Sequence, residues 1–471
     1  MPRVVAAIFA LTLASVASAA PQRRVFTEDT TVFCNPGQGW STMGCNAEQY
    51  AGVVNIGQVY HRPTWRDFEP QEGVYNWTKL DKLLAYAAQR GIPAAFRIMC
   101  VCSGSSVPSS PDWVWAKGAK FEEWENLGYD GNVHTNRAPI FDDPIFLAAH
   151  RRFIQALAAR YDGDPRLAGI DLGSYGNWGE WHCGSLPPVT PRFLPRDAQG
   201  RIRKDALKSK GVKPHVYPLA VRRQYVDMYL DNFRKTPLIF MTDDHECLKY
   251  ALGEGPTPRV GLRRDGVGSP WHFGRWIGTK PYDAIPRMAD VWRNQPIWLE
   301  FYGDLATTVR DRFKTLPFSV EWLLTNHVSV VNTCPANPHR IKDDVANFAL
   351  LKKIDLYAGA RLVPQSVEVT RSNGAYEVVL RGENRGVAPI HLPFAVQFAL
   401  VDAKDKDIVR AAGQTDPSTW LPGPFVLRET VTFPSSVEGR LVLRLVHRHG
   451  VFRNFRFAAQ ETLPDGALPL E

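Results

Sequence analysis

Short apolar runs alternating with stretches of helical period are the feature that most limits what this chain can fold into. The runs are "VVNIGQVYHR", "IPAAFRIMC", "LAGIDLGSY", "PLIFMTDD", "RVGLRRDG", "PIWLEFYG" and "VSVVNTC", and an earlier "TTVFCNPGQGW" makes an eighth. Each reads as a buried strand, because a strand covered on both faces shows continuous apolar sequence rather than alternation. Between them, "TKLDKLLAYAAQRG" sets Leu80, Leu83, Leu84 and Ala87 on one helical face, with Gly91 at the C-terminal stop. "DPIFLAAHRRFIQALAARYDGDP" starts with Asp143 as N-cap and Pro144 in the first turn, and is expected to bury Ile145, Ala149, Phe153 and Leu157. Strand–helix alternation implies parallel pairing, and eight strands imply closure into a (β/α)8 TIM barrel. A doubly wound open sheet is the alternative, but no G-x-G-x-x-G follows the early strands.

Near Tyr357 the period changes to two. "SVEVTRSNGAYEVVLRGENRG" alternates polar and apolar residues around an "SNGA" hairpin turn, and "FAVQFALVD", "FVLRETVTF" and "GRLVLRLVHR" continue as strands. A helix-free stretch of about 110 residues built this way reads as a C-terminal β-sandwich. The expected domains are a barrel over 21–356 and a sandwich over 357–471. Residues 1–20 read as a signal peptide: Arg3 is the positive start, "VVAAIFALTLA" the apolar segment and "ASA" the cleavage site, with cleavage after Ala19 or Ala20. A secreted or periplasmic location follows, with no membrane span, since no later run is long and uncharged.

Export makes the seven cysteines disulfide candidates, and an odd number leaves at least one thiol over. Cys183 follows the fourth strand and Cys247 the fifth, so these two are expected to pair, with Cys102 competing for Cys183. Cys34 and Cys45 are expected to pair locally, near Cys334. The spacing matches no zinc pattern. A net charge of +8 over 471 residues is a modest bias that suits a solvated basic surface or an acidic glycan, and nothing points to nucleic acid.

The stretch "GSYGNWGEWH", Gly173 to His182, directly follows the fourth strand and holds one acid, Glu180, between Trp178 and Trp181. A carboxyl in such surroundings loses water and tends to keep its proton. A second acid, Glu300, lies at the end of the seventh strand in "PIWLEFYG". The ends of those strands face each other across a barrel mouth. Two carboxyls in one cavity are the equipment of a glycosidase, one attacking the anomeric carbon and one protonating the leaving oxygen. Long loops from Val101 to Asp143 and from Cys183 to about Pro218 lie on the same face. The first carries Trp113, Trp115, Trp124 and Tyr129, and indole faces suit sugars. His61, Arg97, Asp243 and Tyr302 lie near strand ends and are further candidates for binding sugar hydroxyls. No cofactor or metal is called for.

"WRDFEPQEGVYNWTKLD", Trp65 to Asp81, resembles the W-x-x-x-E-P-x-x-G-x-Y-x-W-x-x-L-D signature of bacterial β-galactosidases in the large clan of retaining barrel glycosidases. "GIPAAFRIMC" and "PDWVW" then stand where that family has its third strand and a Pro-x-Trp loop. "NPGQGW" and the terminal sandwich also resemble an uncharacterised bacterial group with a glycosidase-like barrel. The resemblance implies Glu180 as acid/base, Glu300 as nucleophile, and an oligosaccharide or polysaccharide substrate, by default a β-galactoside or β-glucoside. It also implies a role for Trp113 and Trp115 in the Pro-x-Trp loop. In that clan an Asn precedes the acid and binds the sugar's 2-hydroxyl. Here the position is Gly179, and Asn177 is the nearest substitute.

Three other readings stay open. "TDDHEC" places Asp243, Asp244, His245 and Glu246 after the fifth strand, a possible metal site for a metal-dependent hydrolase, although adjacent residues of an extended chain point to alternate sides. Asp265 is a spare acid and a fallback nucleophile. A barrel that binds carbohydrate without turning it over is the third. Glu69, in the signature, reads as a structural loop contact.

Overall fold

A computed structural model describes residues 20–269, 272–306 and 315–471. Eight parallel strands close into a barrel: Gly39–Met43, Ile56–His61, Ala94–Arg97, Leu167–Asp171, Leu238–Met241, Val260–Val267, Ile297–Phe301 and Val330–Asn332. The eighth pairs with both the seventh and the first, which closes the ring. All eight runs identified in the sequence contain or abut one of these strands. Five are buried at every residue, which is why they read as unbroken apolar segments.

The helix Thr78–Gln89 buries Leu80, Leu83, Leu84 and Ala87, and Gly91 follows at φ +62°. The helix Pro144–Tyr161 is capped by Asp143, whose carboxylate accepts from the Ile145 and Phe146 amides. Ala149, Phe153 and Leu157 are buried as expected. Ile145 is exposed instead, and Phe146 takes its place in the core, because the first turn meets the barrel one residue later than the periodicity implied.

The C-terminal sandwich has two four-stranded sheets. One orders Gln22–Val25, Leu362–Ser372, Ala375–Asn384 and Gly423–Thr432, and the other Asp407–Ala412, Phe394–Val401, Arg440–His447 and Leu468–Pro469. The turn between Ser372 and Ala375 has Asn373 and Gly374 both at positive φ, as a two-residue hairpin with right-handed twist requires. The N-terminal boundary differs from the sequence expectation. Gln22–Val25, inside the stretch assigned to the barrel, pairs antiparallel with Leu362–Ser372 of the sandwich. The two units share a core: Tyr60, Ala95, Ile239, Trp298 and Val330 of the barrel strands belong to one apolar cluster with Phe394, Leu443 and Phe455 of the sandwich.

No described helix is long and apolar enough to cross a membrane. The leader segment lies outside the described residues, Ala20 excepted. The cysteine pairs do not form: all seven are free thiols. Cys34 turns inward and donates to the Gln38 carbonyl (2.8 Å), Cys183 sits against the Tyr175 hydroxyl (4.0 Å), and Cys247 is buried in the helix His245–Leu252 beside Arg222.

Candidate active site

The strand ends surround a cavity of about 1320 Å³. Its wall includes Glu180, Glu300, Asp243, Asp265, Arg62, Trp178, Trp181, His182 and Tyr302. Glu300 comes from the seventh strand, as the sequence indicated. Glu180 does not end the fourth strand. That strand stops at Asp171, and Glu180 follows in a tight loop whose backbone folds back on itself, with the Asn177 amide donating to the His182 carbonyl (2.7 Å) and Trp181 to Tyr175 (3.1 Å). Trp178 and Trp181 both take left-handed backbone conformations, φ 54° and 60°. Bulky residues adopt that region at a cost of order 1–3 kcal/mol each, and such strain concentrates at functional loops. The two indoles are anchored at their nitrogens, Trp178 to the Tyr129 hydroxyl (2.9 Å) and Trp181 to the Leu172 carbonyl (2.6 Å).

Gly179 is explained by this loop. Its φ is +71°, and a Cβ there would lie 2.0 Å from the Gly173 carbonyl oxygen. An Asn cannot occupy the position without moving backbone. Asn177 does not substitute for it. Its amide is consumed by Ser103, donating to Oγ (2.7 Å) and accepting from the amide N–H (2.9 Å), and it is buried outside the cavity wall.

Arginines hold both carboxylates. Arg97, with no exposed surface, donates to Glu180 Oε1. Arg62 donates to Glu300 Oε2 and its other terminal nitrogen lies 3.9 Å from Glu180 Oε1. Arg263 and Asn332 also donate to Glu300, the latter at 3.0 Å. Below them Asp171 accepts from the Tyr60 hydroxyl (2.8 Å) and faces Arg97 and Arg263 at 3.5 Å each. This overturns the expectation of a protonated Glu180. Burial by itself raises its pKa, but Arg97, a hydrogen bond from His182, Arg62 and Asp265 together outweigh burial and hold Glu180 well below the ordinary carboxylate value. Asp265 moves the other way. Burial, with Glu300 and Glu180 adding to it against the pull of Arg263 and Arg97, lifts its pKa well above the ordinary value.

Several sequence candidates have other duties. Arg97 is a buried counter-charge rather than a group open to sugar. His61 points away from the cavity, toward Lys79 and Asp67, because Tyr60 and Arg62 hold the inward parity of that strand. Trp113 donates to the Glu69 carbonyl (2.9 Å) and packs edge-on against Trp65, while Trp115 stacks on Phe146; neither borders the cavity. Tyr129, from the same loop, does. Asp243 lines the cavity but is paired with Arg264 and Arg275. Asp244 caps the helix His245–Leu252 and, with Glu246, binds Arg222. Among the described residues no group of three His, Cys, Asp or Glu is placed to hold a metal. Glu69 has the structural role expected of it, accepting from Trp65 Nε1 (2.7 Å) and the Gly73 amide (2.9 Å). Arg62, Arg263, Asp171 and Asn332 were not singled out in the sequence. The signal was there: Tyr60 with Arg62, and Arg263 with Asp265, are i, i+2 pairs on the inward face of their strands.

Residues 49–179 match a family of glycoside hydrolases described as β-galactosidase. The barrel is that of a glycoside hydrolase. Among solved structures, the chain is similar to an endo-glycoceramidase II from Rhodococcus sp. at 14% identity, covering 87% of this chain and 100% of that one with a TM-score of 0.34. It is also similar to a psychrophilic family 10 endo-β-1,4-xylanase at 13% identity, with 68% and 83% covered and a TM-score of 0.32. A family 5 glycoside hydrolase from Bifidobacterium longum subsp. longum aligns at 12% identity, with 59% and 60% covered and a TM-score of 0.32. No curated protein matches.

Proposed function

We propose that this glycoside hydrolase cleaves a β-glycosidic bond with retention in an exported oligosaccharide- or polysaccharide-processing role, with Glu300 as nucleophile and Glu180 as the group that protonates the leaving oxygen. The observation that carries the reading is the bridging of Glu180 and Glu300 by the one guanidinium of Arg62 at the wall of the cavity. A span that a single guanidinium bridges supports the short carboxyl separation of a retaining pair, ~5–5.5 Å, over the ~6.5–9.5 Å that leaves room for an attacking water. Arg62, Arg263 and Asn332 keep Glu300 oriented as a carboxylate. Trp178 and Trp181 supply apolar surface for the sugar ring. A β-galactoside is the first substrate to try, given the family match over 49–179.

The test is turnover of aryl β-galactosides and β-glucosides, with proton NMR of the first-formed anomer. Azide should rescue Glu180→Ala and give a β-glycosyl azide; it should give an α-linked product with Glu300→Ala. An inverted first product ends the retaining reading. The pairing of both carboxylates with arginine favours a second reading, a barrel that binds carbohydrate without cleaving it. That reading requires sugar affinity that survives Glu300→Ala in a chain that never turned over substrate.

A further inference from the structure

Resting on that reading, the geometry points to Asp265 as the residue that stores the proton the site delivers, handing it on through Glu180. Asp265 lies on the sixth strand, and the Arg97 guanidinium that donates to Glu180 also lies 4.0 Å from Asp265 Oδ2, which sets the two carboxyls side by side. Its side chain lines the cavity beside Glu180, but both of its oxygens are buried, so a proton on it reaches a substrate oxygen by way of Glu180. It is therefore a positioning residue acting through Glu180.

The groups facing Asp265 come from every wall. Arg263 on its own strand is 3.0 Å from Oδ1, and Arg97 on the third strand is 4.0 Å from Oδ2. Arg62 after the second strand, Glu300 on the seventh, Glu180 after the fourth and Cys334 after the eighth complete the set. Asp171 faces the same Arg97 and Arg263 from below and accepts from Tyr60.

Charge balance gives the reason. Three guanidiniums, Arg62, Arg97 and Arg263, face four carboxyls, Asp171, Glu180, Asp265 and Glu300, and the His182 ring, 3.7 Å from Glu180 Oε2, stands on the Glu180 side of the cluster. Buried charge is tolerated only when compensated, so three carboxylates balance the arginines and the fourth carboxyl keeps a proton. Glu180 and Glu300 each have a guanidinium hydrogen bond, and Asp171 has the Tyr60 hydroxyl. Asp265 alone accepts no hydrogen bond among the described groups and can offer one.

The step then conserves charge. Glu300 forms a bond to the anomeric carbon and the bond to the leaving oxygen breaks, while the proton held on Asp265 passes to the Glu180 carboxylate and from Glu180 to that oxygen, so Glu180 is a carboxylate before and after. Glu300 loses its negative charge in the ester as Asp265 gains one, so the cluster is balanced before and after. In the second half, water attacks the anomeric carbon, its proton passes through Glu180 to Asp265, and the Glu300 carboxylate is released.

The experiment uses the full chain labelled with carboxyl-13C aspartate. Infrared spectra at neutral pH should show the carbonyl stretch of a protonated carboxyl that shifts with the label and is lost in Asp265→Asn. In the same variant, kcat/KM on phenyl β-galactoside should fall by about 10²–10⁴-fold, the usual range for a lost proton donor, with a far smaller fall on the 2,4-dinitrophenyl galactoside. An absent label-sensitive band with turnover intact overturns the placement of the proton and leaves the hydrolase reading standing. Equal loss on both leaving groups overturns it in favour of a purely structural role. A wild-type chain that shows the band yet cleaves no glycoside overturns the hydrolase reading, and delivery with it.

Discussion

Arg97 donates to Oε1 of Glu180, joining a guanidinium with no exposed surface to a carboxylate that borders the cavity. The same guanidinium faces Asp171. Removing one member of a buried ion pair leaves uncompensated charge, which costs about 3–5 kcal/mol. Arg97→Ala should lower stability by that amount in urea denaturation, and Arg97→Ala combined with Glu180→Gln should lose less than the sum of the two single changes.

The ionisation of Glu180 fixes a pH dependence. Its folded pKa lies well below the ordinary 4.5, through Arg97, His182, Arg62 and Asp265 acting against burial. A carboxyl depressed in the fold contributes stability that is fully present above its unfolded value and lost as pH falls toward the folded one. The stability difference between wild type and Glu180→Gln should therefore be constant above about pH 5 and shrink below pH 4.5. Asp265, raised in the fold, carries the opposite sign: its contribution is greatest in acid and fades as pH rises. Unfolding midpoints of both proteins from pH 3 to 7 check this, and an unchanged gap in acid would sink it.

Trp115 stacks on Phe146 and does not border the strand-end cavity. Trp115→Ala should cost about 3–5 kcal/mol, as large-to-small aromatic changes in cores do, and leave KM on the best substrate unchanged. A raised KM at full stability would return this residue to the sugar site.

Gly179→Asn places the residue of related barrels where the sequence lacks it, and should not improve activity. The left-handed backbone and the 2.0 Å approach of a Cβ to the Gly173 carbonyl force the Glu180 loop to move. Stability should fall by more than about 1 kcal/mol, and turnover should fall with it. Thermal unfolding and kcat/KM measured together decide it.

Thiol titration tests the free cysteines. Cys45 and Cys334 are exposed and should react first with an aromatic disulfide reagent. Burial pushes the Cys34 thiol up to about 12 and the Cys183 thiol to about 11, so these should react only on unfolding. Five or fewer thiols in the denatured, unreduced chain would mean a disulfide.

The barrel strands were legible because burial on both faces leaves each as an unbroken apolar run. The position of Glu300 was legible for a related reason, since a polar residue at the end of such a run marks the barrel mouth, whereas Glu180, in the loop after the fourth strand, stood out by the two indoles that flank it. The charge state of Glu180 was not. Its partner Arg97 is 83 residues away, and Arg62 is 238 residues from Glu300, so the cluster exists only once the ring closes. His61 drew attention by chemistry, yet strand parity turns Tyr60 and Arg62 inward instead. Trp113 and Trp115 look in sequence like Trp178, and only packing separates anchors of a loop from walls of a cavity.

Gln22 pairs with Val369 in the sandwich, so the first described strand finds its partner only after almost the whole barrel has been made. During synthesis this strand waits without its ladder, and the barrel floor around Tyr60 and Trp298 waits without its apolar cover. Pairings so distant in sequence are slow to form and leave edges and apolar surface open meanwhile. The chain cannot mature as a finished barrel to which a tail is later added. Truncating it near residue 356 should leave an aggregation-prone remnant rather than a smaller enzyme, since the strands that cover the barrel floor, down to Leu468–Pro469 paired with Arg440–His447, would be gone.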